Sequence, residues 1–182
     1  ALRLRQADGE EYLPFFVAAP KNKPQSDLAF IVPTYTYMAY GNNHMIEDGR
    51  RASGVSKEEQ YRTPSVMGPG AYEYSDLIED HYPLGLSTYD YHIDGSPVHF
   101  SSWLRPLLNM RPKTLLWTFC ADLLSIDWLE AKEITYDIIT DDLLEKEGAS
   151  LLNNYRVIMT GNHPEYVTTS QLNAIQAYTQ QG

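Results

Sequence analysis

The sequence predicts an α/β fold built on a parallel sheet, and three observations carry that prediction. Leu28-Ala-Phe-Ile-Val-Pro33 is a continuous apolar run of the kind a parallel sheet buries on both faces. The last third of the chain alternates helical and strand patterns in the rhythm of crossover units. The length of 182 residues, 43% of them hydrophobic, suits one domain of ordinary size with a core of its own.

Taken in order, Glu11-Tyr-Leu-Pro-Phe-Phe-Val-Ala18 is short, aromatic and strand-like, and Pro14 implies an edge position. Lys21-Asn-Lys-Pro-Gln-Ser26 has linker and turn chemistry, so residues 1–20 read as the strand tail of a preceding or edge element. The first strand of the main sheet is 28–33. From Thr34 to about Thr114 the pattern predicts no regular element. That stretch holds most of the glycines and prolines, four of the five histidines and many tyrosines. A loop of this length inside a domain points to function, and its aromatic content argues against disorder. Residues 121–132 have apolar positions at helical spacing, with Asp122 as the expected N-cap. Ile134–Ile139 predicts a strand, Asp141 a cap for a short helix through Glu147, and Tyr155–Thr160 a second buried strand. Thr168 and Gln171 have capping-box spacing and open a helix to about Gln180. Gly182 is the expected C′ residue. Three strands make a small sheet, so an incomplete domain over 21–182 is expected, truncated at its C-terminal end.

Charge and composition narrow the function classes. Fourteen Lys and Arg against 24 Asp and Glu give a formal charge of −10. Nine of the acids fall within 121–147, beside only Lys132 and Lys146. Such a surface disfavours nucleic acid, whose grip needs a basic face, and anionic membranes for the same reason. No run approaches the length of a membrane span, and the start carries neither the apolar region nor the cleavage pattern of a signal peptide. Cys120, the one cysteine, has no partner for an intrachain disulfide, which fits a reducing compartment. A cytoplasmic location is expected.

In an open parallel sheet, ligands bind beyond the carboxyl ends of the strands. That rule selects Thr34–Asn42 after the first strand and Gly161-Asn-His-Pro-Glu-Tyr166 after the last. His163 and Glu165 stand two apart and would face one side of an extended segment, suiting a metal site, an acid–base pair or a solvated turn. Tyr35, Tyr37 and Tyr40 offer phenolate ligands, a hydrogen-bonding wall or plain packing. The loop Leu86–Ser96 adds Tyr89, Asp90, His92 and Asp94, while Asp94-Gly95-Ser96 is first of all a turn. Cys120 has no glycine on either side, unlike a nucleophile elbow, and reads as a buried structural thiol. No glycine-rich phosphate loop follows a strand, which disfavours nucleotides.

The segments Tyr37-Met-Ala-Tyr40-Gly-Asn42, Gly85-Leu-Ser-Thr-Tyr89-Asp90, His92-Ile-Asp-Gly95, Ser102-Trp-Leu-Arg-Pro106, Asn109-Met-Arg-Pro-Lys113 and Gly161-Asn-His-Pro-Glu165-Tyr166 resemble the large (beta) subunit of N,N-dimethylformamidase. Glu11–Val17 and Ala121–Leu129 match too, so the resemblance runs in register from about residue 8 onward. It implies a sheet of the glutamine-amidotransferase-like, Rossmann-like kind, with a long functional loop inserted. It also implies a mononuclear Fe(III) centre with Tyr40, Tyr89 and Glu165 as metal ligands, and His163 as the catalytic pocket histidine. Three hard oxygen donors suit a hard cation. Tyr91 and Pro97 stand where the family pattern has smaller residues, which bears on the substrate rather than on the metal. The implied activity is hydrolysis of a small amide, an N-substituted formamide, to formate and an amine. The implied partners are further copies of the chain and a small accessory subunit. Two other readings compete: a non-catalytic α/β binding module, and a non-haem Fe(II) enzyme using His92, His163 and Glu165.

Overall fold

The computed structural model describes residues 2–7, 9–44, 85–92, 94–112 and 117–181. They form a mixed α/β structure with one small antiparallel and one small parallel sheet. The chain divides into two compact units, Ala1–Pro14 with Tyr37–Ala121, and Phe15–Thr36 with Asp122–Gly182.

The first unit opens with β1 (Leu2–Gln6) and β2 (Gly9–Leu13), antiparallel in a register running from Leu2 opposite Leu13 to Gln6 opposite Gly9. The expected strand over 11–18 ends instead at Leu13, because Pro14 has no N–H to continue a ladder. Its partner β1 escapes sequence reading, since all five of its residues are exposed and none of its faces is core. Charge pairing supports the hairpin: the Arg3 guanidinium bonds the Glu10 carboxylate and lies 5.7 Å from the centre of the Tyr12 ring.

The second unit holds the predicted parallel sheet. Its strands are β3 (Leu28–Val32), β4 (Asp137–Thr140) and β5 (Val157–Thr160), in spatial order β4-β3-β5 with both pairings parallel. The central strand is the most apolar and the most buried, as its sequence requires. Both outer strands begin later than their apolar runs. Ile134 is drawn into the end of the preceding helix, where Glu133 turns with φ 56° and the Ile134 N–H donates to the Leu129 carbonyl at 3.0 Å. Tyr155 likewise closes a turn onto the Leu152 carbonyl.

Helix α1 (Thr34–Ala39) follows β3 directly, inside the stretch expected to be irregular. Its TYTYMA sequence has no strong helical period, and its first turn is capped from afar: the Asp141 carboxylate accepts the Tyr35 N–H at 2.7 Å. Asp141 therefore does not cap its own helix. The hydroxyl of Thr140 does so for α3 (Asp141–Glu147), accepting the Leu143 N–H, after α2 (Phe119–Ala131) has preceded both. Helix α2 begins two residues before the expected start, so Asp122 lies in its first turn instead of capping it. Gly148, with φ 60°, ends α3 by donating its N–H to the Leu144 carbonyl, and α4 (Ala149–Leu152) follows at once. Helix α5 (Thr169–Thr179) has the predicted capping box, with both the Thr168 and Gln171 bonds formed. Gly182 and residues 45–84 of the long loop lie outside the described residues.

The core of this unit is one cluster of Ala29, Ile31, Ile139, Leu144, Leu151, Leu152, Tyr155 and Ala174. It joins the sheet to α3, α4 and α5; at the carboxyl ends of the strands, β3 and β4 lead into helices and β5 leads into a loop.

Candidate functional site

Each unit carries one half of the predicted site residues. In the first, Tyr40 follows α1 and Tyr89 sits in the loop beginning at Gly85. Their rings stack with centroids 4.2 Å apart and planes 18° from parallel. Trp117 meets Tyr40 edge-on at 5.9 Å. The three tyrosines around α1 separate by role: Tyr37 is fully buried against Phe119, and Tyr35 hydrogen-bonds Asp142. Burial, with Asp142 beside it, pushes the Tyr35 phenol up to about 12. Of the three, Tyr40 is the one paired with Tyr89.

The two loops are tied together by Thr88 and by the pairing of His44 with Asp90. Thr88 places both its N–H (3.2 Å) and its hydroxyl (2.8 Å) on the Ala39 carbonyl. His44 and Asp90, both buried, pair through Nδ1 and Oδ2 at 3.0 Å, and the Ser87 N–H donates to the same Oδ2 at 2.7 Å. Burial works to raise the Asp90 carboxyl, but the bonds from His44 and Ser87 outweigh it and hold it below its ordinary range. Beneath Tyr40, the side-chain amides of Asn43 and Asn109 both donate to its carbonyl, at 2.9 and 3.0 Å. Asn42, at φ 59°, donates to the Pro106 carbonyl and accepts from the Leu108 N–H. Arg105 bonds the Gly41 carbonyl and Ser101, and a Cβ on Gly41 would lie 2.6 Å from Leu107 Cδ2, which would have to shift to admit it.

In the second unit the loop 161–166 leaves the carboxyl end of β5. His163 Nε2 and Glu165 Oε2 are 2.9 Å apart, so the two residues face one side as their spacing predicts. Both are partly exposed. The loop is fastened at each end by a buried side chain from elsewhere in the unit. Asp122 Oδ1 accepts the Asn162 N–H at 2.6 Å, and Thr36 Oγ1 accepts the N–H groups of Glu165 (3.1 Å) and Tyr166 (3.2 Å). Gly161 passes so close to Asp122 and Pro33 that a Cβ would lie 2.4 and 2.5 Å from them.

The remaining candidates have structural roles. His92 is exposed on a turn, its N–H on the Ser96 carbonyl and its own carbonyl accepting from Gly95. Asp94 accepts from the N–H and hydroxyl of Ser96, as a turn residue does. Cys120 is buried with its thiol on the Arg111 carbonyl. Among the described residues, no three His, Cys, Asp or Glu side chains cluster as a metal site. Nor, among the described residues, is any helix long and apolar enough to cross a membrane.

The residues missed by sequence reading are Thr36, His44, Asn109 and Asp122 above all, with Asp90 named there only as a loop residue. Their partners are remote in the chain: 129 residues from Thr36 to Glu165, 46 from His44 to Asp90. No local spacing announces such pairs.

Comparison with known proteins points the same way along the whole chain. The family described as "N,N-dimethylformamidase beta subunit-like, C-terminal" matches residues 1–182. The N,N-dimethylformamidase beta subunit of Paracoccus aminophilus is 37% identical over 190 residues, and that of an Alcaligenes species is 37% identical over 190 residues. Both alignments cover all of this chain and 24% of the relative, so the chain spans about a quarter of their length.

Proposed function

The chain belongs to the N,N-dimethylformamidase beta subunit-like, C-terminal family, and from that premise we propose that it supplies the metal-binding part of an amide-hydrolysing site. The substrate class is small N-substituted formamides, cleaved at the C–N bond with water to give formate and an amine. The glutamine-amidotransferase-like character of the sheet belongs to the same proposal, as do a cytoplasmic setting and assembly with further copies and a small accessory subunit.

The observation that carries the reading is the Tyr40–Tyr89 pair. Two phenols 49 residues apart in sequence are brought ring to ring and fixed by the Thr88 and Asp90 bonds. With Glu165 they would hold one ferric ion, and this all-oxygen donor set fits a hard trivalent cation better than zinc, which favours nitrogen and sulfur. Bound there, the metal would supply Lewis acidity toward the amide carbonyl or a water.

The protein's own contribution is orientation and proton handling. Glu165 Oε2 engages His163 Nε2, which supports a fixed imidazole plane and would leave the other ring nitrogen, Nδ1, for proton transfer. The leaving amine must gain a proton, and on this reading His163 delivers it. The Thr36 and Asp122 bonds keep the loop from drifting, a condition for rate, since small misplacements of catalytic groups are costly.

Metal analysis and a visible spectrum of the complete protein test the proposal. About one iron per chain with a phenolate charge-transfer band, both lost in Tyr89→Phe, is the expected result. A colourless protein that hydrolyses formamides without iron would overturn it.

A further inference from the structure

The loop 161–166 is gripped by a side chain that takes no part in the proposed chemistry. Thr36 is fully buried in α1, and its hydroxyl oxygen accepts two consecutive backbone N–H groups, those of Glu165 and Tyr166. One oxygen with two lone pairs is thereby saturated as an acceptor by a single peptide corner. At the other end of the loop the Asp122 carboxylate holds the Asn162 N–H, and the Gly161 N–H is on the Ile31 carbonyl at 2.9 Å. Between these two anchors stand only His163, Pro164 and Glu165. The His163 carbonyl also accepts the Glu165 N–H at 3.0 Å, so the corner closes on itself as well as on Thr36.

We propose that Thr36 is the positioning residue for Glu165: its hydroxyl sets the backbone direction from which the carboxylate reaches the metal and its hydrogen bond to His163. The inference rests on the reading of Glu165 as an iron ligand and deepens it. The physical case is one of geometry and degrees of freedom. A carboxylate on a loop has two or three free torsions beyond its Cα, and metal affinity depends on presenting its oxygens without further ordering. Fixing the Cα–N direction from a fully buried threonine removes backbone freedom before the metal arrives. Groups behind metal ligands typically change affinity by about 10–100-fold when removed. Threonine suits the position because its β-branch restricts χ1 and keeps the hydroxyl aimed at the loop.

The test uses the complete protein and three variants. Thr36→Val keeps the shape of the side chain and deletes the acceptor, whereas Thr36→Ser keeps the acceptor and deletes the methyl. Apparent iron affinity is measured by competition with a chelator, together with the visible band and thermal unfolding. The expected result is a loss of about 10–100-fold in iron affinity and a shifted band in Thr36→Val, with Thr36→Ser within about twofold of wild type. A folded Thr36→Val that binds iron within twofold of wild type, with an unmoved band, overturns the inference. Should Thr36→Val not accumulate, amide hydrogen exchange at Glu165 and Tyr166 in the wild-type protein decides. Slow exchange supports the bonds, and exchange at the rate of an open loop overturns them. Glu165→Gln separates this from the parent reading. If it leaves iron content and colour unchanged, Glu165 is no ligand and the parent reading fails along with the inference. If it loses both while Thr36→Val loses neither, only the positioning role fails.

Discussion

Asp90 has four jobs in a space where a wrong side chain has nowhere to go. Its carboxylate takes the Ser87 N–H, the His44 N–H and the His44 ring, and its carbonyl takes the Val98 N–H at 3.1 Å. Bonds to a buried charge are worth more than neutral ones, and a partner left behind carries its own desolvation cost. Asp90→Ala should therefore destabilise the first unit by about 3 kcal/mol, and Asp90→Asn by about half that, measured by denaturant unfolding. By the same reasoning Tyr89→Phe, which deletes an oxygen while keeping the stacked ring, should change stability by less than about 1 kcal/mol while abolishing iron binding. A Tyr89→Phe protein that unfolds much earlier than wild type would show that the hydroxyl serves the fold and not a metal. Gly161→Ala is the steric counterpart: a methyl 2.4 Å from Asp122 would displace the bond to Asn162, and iron affinity should fall with it.

Among the elements, α1 and α3 share a junction in which Asp141 is the critical group. Burial pushes its carboxyl up to about 6, opposed by the Tyr35 N–H and reinforced by Asp142. The folded state then binds more protons than the unfolded chain between the ordinary carboxyl value of 3.8 and about 6. Stability from this group is fully present below that window and is lost as pH rises through it. The loss is on the order of 2–3 kcal/mol. Asp141→Asn keeps an acceptor for Tyr35 and cannot ionise. Its unfolding free energy, compared with wild type from pH 3.5 to 7, should show a smaller fall across the window. Equal slopes would mean that folding does not raise the Asp141 carboxyl. The capping box of α5 makes a simpler case. Thr168→Ala removes the acceptor for the Gln171 N–H and should cost about 1 kcal/mol.

For the whole molecule, charge and coverage set the terms. The formal charge of −10 disfavours polyanions as partners, and a small neutral amide is indifferent to it. The chain corresponds to 24% of the length of its relatives, so the site proposed here is read as one part of a larger protein. The isolated 182 residues are expected to hydrolyse dimethylformamide at a small fraction of the rate of the complete protein, even when loaded with iron. Steady-state assays of both side by side check this, and equal rates would show that the chain is sufficient by itself.

The parallel sheet was legible in sequence because its signal is local and redundant. Leu28–Val32 cannot be anything but a buried strand, and the capping box at Thr168 and Gln171 lies within one turn of helix. The same holds for the pairing of His163 with Glu165, two residues apart on an extended loop. What could not be read was every feature whose partner arrives from a distant part of the chain. Asp141 looked like the cap of the helix it begins, yet a nearer hydroxyl at Thr140 took that role and left the carboxylate to cap α1. Asp122 looked like an N-cap and instead holds the Asn162 N–H, 40 residues away. Strand β1 had no apolar face to announce it, because pairing with β2 and not burial makes it a strand. The stacking of Tyr40 on Tyr89 and the grip of Thr36 on Glu165 belong to the same class. Short-range hydrogen bonds and hydrophobic periods are encoded in neighbouring residues. Contacts between residues remote in the chain exist only once folding has brought their segments together.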